Sequence, residues 1–177
     1  MAVEKKTEGV VSSPREVRVI DEHDTELDFL LTVAASTPRK RFIKPLHEPW
    51  EHENRMLNAV LPESYIRPHQ HSNPHSVETV QALRGIFNVV IFDNQGKISE
   101  SIQVASRKIV IIPSEIWHTV IARTPCVLYE TIGHDEGGYD PKTHKTFPAW
   151  APMEGTKEAS NYLEELKARI VLLDVGS

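Results

Sequence analysis

The most restrictive feature of this sequence is a succession of short β-type segments between Arg55 and Ile132. Arg55–Leu61, Val77–Leu83, Ile86–Phe92, Lys97–Val104, Lys108–Ile112, Trp117–Ala122 and Cys126–Ile132 are rich in residues that favour strands. Turn residues separate them. Pro62-Glu63-Ser64 follows the first, Gly85 marks a turn or bulge that needs a permissive backbone, and Asp93-Asn94-Gln95-Gly96 is a strong hairpin signal. Short strands at regular spacing with turns between them predict a sandwich or barrel.

The flanks have a different texture. Residues 1–15 are polar and without periodicity, and read as a flexible arm. An N-terminal extension, residues 16–54, begins with an alternating strand-like stretch, Glu16–Ile20. A short helix follows, capped by Asp24 or Thr25, with Leu27, Leu30, Leu31 and Ala34 on one stripe and Pro38 ending it. Too short to stand alone, it has to pack on something larger. Arg39, Lys40, Arg41 and Lys44 then form a basic cluster, either a solvated connection or an anion-binding rim. His47 and His52 lack ligand spacing and read as surface residues. After the barrel segment, residues 55–133, comes a C-terminal part, residues 134–177. There an irregular wrap from Tyr139 to Pro152 leads to a helix with Ala159, Tyr162, Leu163, Leu166 and Ile170 on its docking face.

Composition removes several function classes. A net charge of -5 argues against general nucleic-acid binding, which needs a basic face. No apolar run approaches the roughly 20 residues that span a bilayer, and the N-terminus has no secretory h-region. Cys126 is the only cysteine, so no intrachain disulfide forms; that fits a cytoplasmic home, and its apolar neighbours predict a buried, inert thiol.

The chemistry concentrates in Arg67–Gly85. On an extended strand His69 and His71 leave from the same face and can grip one metal ion. Glu78 opens the next strand and offers a carboxylate, and His118 comes from a distant strand that a closed barrel can bring close. Three imidazoles with one carboxylate suit Fe, Mn, Ni, Cu or Zn and disfavour oxygen-rich Ca or Mg sites. His75, in the turn between His71 and Glu78, is a competing ligand or a neighbour of the site.

These residues resemble the two cupin motifs, Gly-x5-His-x-His-x3,4-Glu-x6-Gly and Gly-x5-Pro-x-Gly-x2-His-x3-Asn. The resemblance implies His69, His71, Glu78 and His118 as metal ligands, with Gly85 closing the first motif. Glu63, Arg107 and Glu115 stand where the pattern has Gly, Ala122 stands at the Asn, and six residues separate His71 from Glu78. A narrower set is similar to the WbuC-type cupin-fold metalloproteins. It comprises Arg55–Ala59, Arg67–His71, Glu78-Thr79, Leu83–Gly85, Ile112-Pro113, Trp117–Thr119, Thr37–Arg41, Tyr139–Pro141 and Ala149–Pro152.

The resemblance implies a mainly β fold: one cupin (double-stranded β-helix, jelly-roll) barrel with a short N-terminal helix and a C-terminal helix packed outside. It also implies a bacterial protein among O-antigen and surface-polysaccharide genes, and a homodimer. The functional expectation is a metal-dependent enzyme, an isomerase, epimerase or dioxygenase, acting on a small anionic molecule such as a sugar nucleotide. The alternative is a non-catalytic binding or sensor cupin that uses the metal to hold its ligand. Arg39, Arg41, Arg55 and Arg67 are candidates for the anion, and Asn58, Tyr65, Gln81 and Tyr129 for orienting polar groups. Strand parity does not turn all of them inward.

Overall fold

The computed structural model describes residues 17–48, 51–134 and 144–175. The expected N-terminal arm and residues 135–143 of the C-terminal wrap lie outside them. One antiparallel sheet contains β1 (Arg41–Pro45), β2 (Glu53–Val60), β4 (Glu78–Arg84), β7 (Ile109–Ile112) and β9 (Cys126–Gly133), in the order β1-β2-β9-β4-β7. A second contains β5 (Phe87–Phe92), β6 (Ile98–Val104) and β8 (Trp117–Ala122), in the order β6-β5-β8. Two very short strands, β3 (Gln70–His71) and β10 (Lys145–Thr146), pair with each other. His69, just before β3, exchanges backbone hydrogen bonds of 3.0 and 2.9 Å with His118 of β8. That bridge joins the short pair to the second sheet, which then runs β6-β5-β8-β3-β10.

The two sheets face each other over an aliphatic core. Val60, Val80, Ala82, Val110, Ile112 and Leu128 come from one sheet, and Phe87, Val89, Val104, Val120 and Ala122 from the other. Alternation along each strand explains the choice, because every second residue points inward. This is the cupin jelly roll, mainly β with its two helices outside.

Each helix covers the outer face of one sheet. Helix α1 (Thr25–Ser36) is capped by Asp24, whose carboxylate accepts from Glu26 N–H at 2.8 Å. Its Leu27, Leu30 and Ala34 pack on Leu57, Ala59 and Val127, the outward residues of β2 and β9. Helix α2 (Lys157–Val175) lays Ala159, Leu163, Leu166 and Ile170 on Val90, Phe92 and Ile121 of the second sheet. Cys126 is fully buried, and burial pushes its thiol up to about 12. It is inert, as expected.

The N-terminal reading needs correction. Residues 17–20 form no strand, and Val17 and Val19 are 97% and 82% exposed, with no neighbouring strand to complete a ladder. The basic cluster is instead the entry to strand β1, whose Arg41–Pro45 pairs with Met56–Val60. Lys40 donates to the Ala35 carbonyl at 2.7 Å, and Lys44 pairs with Glu26, so both tie down α1. His47 is no loose surface residue either. Its Nδ1 sits between the Arg55 backbone N–H and C=O at 3.1 and 2.9 Å, which fixes the chain between β1 and β2.

Three turn positions decide the local backbone. Gly85 has φ +76°, and a Cβ there would lie 2.4 Å from the Pro125 carbonyl oxygen, so only glycine fits. Arg107 and Glu115, which replace two motif glycines, adopt φ 72° and 63°. The departures changed the side chains and kept the left-handed turns. Two opposite outcomes are expected in thermal and chemical denaturation. Gly85→Ala should destabilise by about 2 kcal/mol or more. Arg107→Gly should raise stability by up to about 1 kcal/mol, by relieving a strained left-handed residue on the surface.

Candidate metal centre

Four side chains converge at one end of the barrel interior. His69 and His71 come from the β3 edge, Glu78 from the start of β4, and His118 from β8. All four are at least 95% buried, and one ligand atom of each lies within 4.8 Å of the others. The long turn between His71 and Glu78 is held in place: Ser76 Oγ donates to the Gly133 carbonyl at 3.0 Å. A Cβ at Gly133 would meet the His75 carbonyl oxygen at 2.4 Å, so the turn lies flat on β9. His75 itself is exposed and outside the cluster.

The imidazoles are oriented by the backbone. His69 Nδ1 is 3.0 Å from the Arg67 carbonyl and His118 Nδ1 is 2.8 Å from the Ile116 carbonyl. A carbonyl only accepts, so each Nδ1 carries the proton and each Nε2 presents a lone pair inward. His69 Nε2 is buried with no hydrogen-bond partner. Glu78 Oε2 lies 2.9 Å from His71 Nε2 and 3.1 Å from His118 Nε2. A carboxylate and an imidazole lone pair at that separation repel unless a cation, a proton or a metal ion, stands between them.

Charge states follow. Burial, reinforced by Lys145 and by His118, pushes His69 well below the usual histidine range and keeps it neutral. Burial alone would push Glu78 up, but His118 and His71 hold its carboxyl well below the usual range. A neutral His69 and an ionised Glu78 are in the forms a metal needs. The residues present fit a divalent transition ion.

The cluster opens onto a cavity of about 430 Å³. That volume suits a small molecule. Its walls are mostly apolar (Met56, Ile66, Val120, Leu128, Phe147), with Arg39, Arg41, Arg67, Asn58, Glu130, Lys145 and Glu154 among the polar residues. Arg39 and Arg41 both engage Glu154, at 2.6 and 2.7 Å; Arg41 is 10% exposed and Arg39 60%. Although burial pushes Glu154 up, those hydrogen bonds bring its carboxyl below the usual range. Arg67 donates to the Ala151 and Pro148 carbonyls at 3.2 and 3.1 Å and lies 5.0 Å from the Phe147 ring centre.

Four of the polar candidates stand elsewhere. Gln81 is on the outward face of β4, paired with Tyr129, which also points away. Arg55 alternates with the cavity-facing Asn54 and Met56 and pairs with Glu51. Tyr65 faces α2, its hydroxyl donating to the Pro152 carbonyl at 3.0 Å. Conversely, Lys145, Phe147, Glu154 and Glu130 reach the cavity without having been singled out. Lys145 and Phe147 belong to a wrap with no periodic signal, and Glu154 follows it directly. Glu130 was legible in principle, since it shares strand parity with the core residue Leu128.

Glu130 is half-buried and lines the cavity. Burial pushes its carboxyl up to about 8, with the charge of Glu78 adding to the effect and Lys145 and the Asn58 hydrogen bond opposing it.

Residues 23–104 match a family described as a domain of unknown function (DUF6016). No curated protein sequence matches the chain. Among solved structures, a Shewanella oneidensis protein superposes with a TM-score of 0.51 at 7% identity, covering 68% of this chain and 82% of its own. A conserved Streptococcus pyogenes protein of unknown function gives 0.49 at 12% identity, covering 74% and 99%. An RmlC-like cupin from Desulfovibrio desulfuricans gives 0.43 at 17%, covering 52% and 81%. At 7% identity the likeness to the Shewanella protein concerns the fold alone. Fold and site together define a cupin-fold protein with a buried three-histidine, one-glutamate cluster fitted to a metal ion.

The raised carboxyl of Glu130 has a measurable consequence. Its contribution to stability is fully present below its ordinary pKa of 4.5 and is lost as pH rises to about 8. In metal-free protein, the melting temperature of wild type relative to Glu130→Gln should therefore fall progressively across that window. Parallel curves from thermal denaturation would contradict the assignment.

Proposed function

We propose that this chain is a metal-dependent enzyme acting on a small anionic molecule, with the ion held by His69, His71, Glu78 and His118. The observation that carries the reading is the buried cluster itself, in which His69 Nε2 has no partner and Glu78 faces two imidazoles at hydrogen-bond distance. When bound, a divalent ion supplies Lewis acidity, polarising a carbonyl or hydroxyl oxygen or lowering the pKa of water.

The chain's own residues do the rest. The Arg67 and Ile116 carbonyls hold His69 and His118 in the tautomer that presents Nε2. Lys145 and Arg67 bring positive charge to the cavity and favour a carboxylate or phosphate. Met56, Ile66, Val120 and Leu128 exclude water from one side of it. Glu130 can hold or accept a proton within the same cavity, which favours an isomerase or epimerase over a dioxygenase. A sugar nucleotide of surface-polysaccharide metabolism is the finer form of the proposal, supported by the cationic side chains and by the sequence resemblance.

Metal stoichiometry tests the reading most directly. Wild-type protein dialysed against buffer should retain about one equivalent of Fe, Mn, Ni or Zn by elemental analysis. His118→Ala should weaken binding by more than the roughly 10–100-fold typical of outer-shell changes. Full retention in His118→Ala would remove the four-ligand site.

A further inference from the structure

Asn58 and Glu130 lie outside the four-residue cluster, yet both line its cavity. Asn58 is only 8% exposed. Its Nδ2 donates to the Glu130 carboxylate, while its Oδ1 is buried without a hydrogen-bond partner. Native proteins rarely leave such an oxygen unsatisfied, because burying it costs free energy that no bond returns. Register places the pair beside the cluster. Glu130 is opposite Val80 on β4 and Met56 on β2, so it stands diagonal to both Glu78 and Asn58. Diagonal neighbours of this kind are roughly 7–8 Å apart at Cα, with side chains within reach of one small molecule.

We infer that Asn58 and Glu130 form an acceptor subsite that takes a hydroxyl donor of the substrate while its anionic end is held at the metal and Lys145. The inference rests on the metal-dependent reading above and narrows its substrate class to a small hydroxylated acid or phosphate. A hydroxyl fits better than an ammonium, because Lys145 acts electrostatically on both Glu130 and His69 and disfavours a second cation between them. Asn58 is the specificity-determining residue. Glu130 is a positioning residue, since its carboxyl oxygen accepts from the Asn58 amide N–H and leaves Oδ1 for the ligand.

The test uses Co(II)-loaded full-length protein, with binding followed through the d–d absorption of the ion. Two matched pairs serve as probes: malate with succinate, and glycerol 3-phosphate with propyl phosphate. In wild type, the hydroxylated member of at least one pair should bind about tenfold tighter. That preference should largely vanish in Asn58→Leu. It should also weaken in Glu130→Gln, whose carboxamide can donate to Asn58 Oδ1 and occupy the acceptor. Co(II) content, measured in parallel, should be unchanged in both variants. Equal binding within both pairs in wild type, or a preference that survives in both variants, overturns the subsite and leaves the metal reading standing. Loss of Co(II) from Asn58→Leu would place Asn58 in metal retention and overturn the subsite too. No spectral response to any of the four anions in wild type overturns the metal-bound anion and, with it, this inference.

Discussion

Two backbone hydrogen bonds between His69 and His118 hold the functional end of this molecule together. They attach the short β3–β10 pair to the three-stranded sheet and complete the second wall of the barrel. The same bridge fixes the spacing of two metal-ligand candidates, because residues paired across antiparallel strands place their side chains on one face. His71 follows by strand parity, and Glu78 by the turn that packs on Gly133. A displacement of one residue in that pairing would turn His118 outward and put Trp117 or Thr119 at the site.

The interior is divided into two regimes. One end is close-packed aliphatic core, and the other combines four buried ligand groups with a cavity. Charges at the mouth are balanced locally: Glu154 binds Arg39 and Arg41, and Lys145 offsets the carboxyl of Glu130. Isolated buried charges would be prohibitive in a barrel this small, so each is paired or poised to meet a ligand.

Most of the architecture was legible. The strand segments from Arg55 to Ile132 were readable because each combines β-formers with a turn residue, and the helix stripes at Leu27–Ala34 and Ala159–Ile170 because 3.6-residue periodicity is local. The strand β1 was hidden because charge dominated Arg39–Lys44, while its pairing partner lies beyond an intervening loop. Residues Glu16–Ile20 misled in the opposite sense, since an alternating pattern makes a strand only where a neighbour accepts it. Gln81 and Arg55 show the same limit: polarity marked them, but parity against the core turned them outward.

What the sequence by itself determined is the set of candidate metal ligands and the strand phase that lets two of them share a face. His69, His71 and Glu78 lie within ten residues, and the shared face of the two histidines follows from local backbone geometry. Only the tertiary structure decided what surrounds them. Lys145 and Phe147 reach the cavity through a nonperiodic wrap, Glu154 follows it directly, and Glu130 meets Asn58 across a register set by eight paired residues. The physical reason is that a strand specifies which face a side chain takes, whereas the contents of a cavity depend on long-range packing between strands distant in the chain.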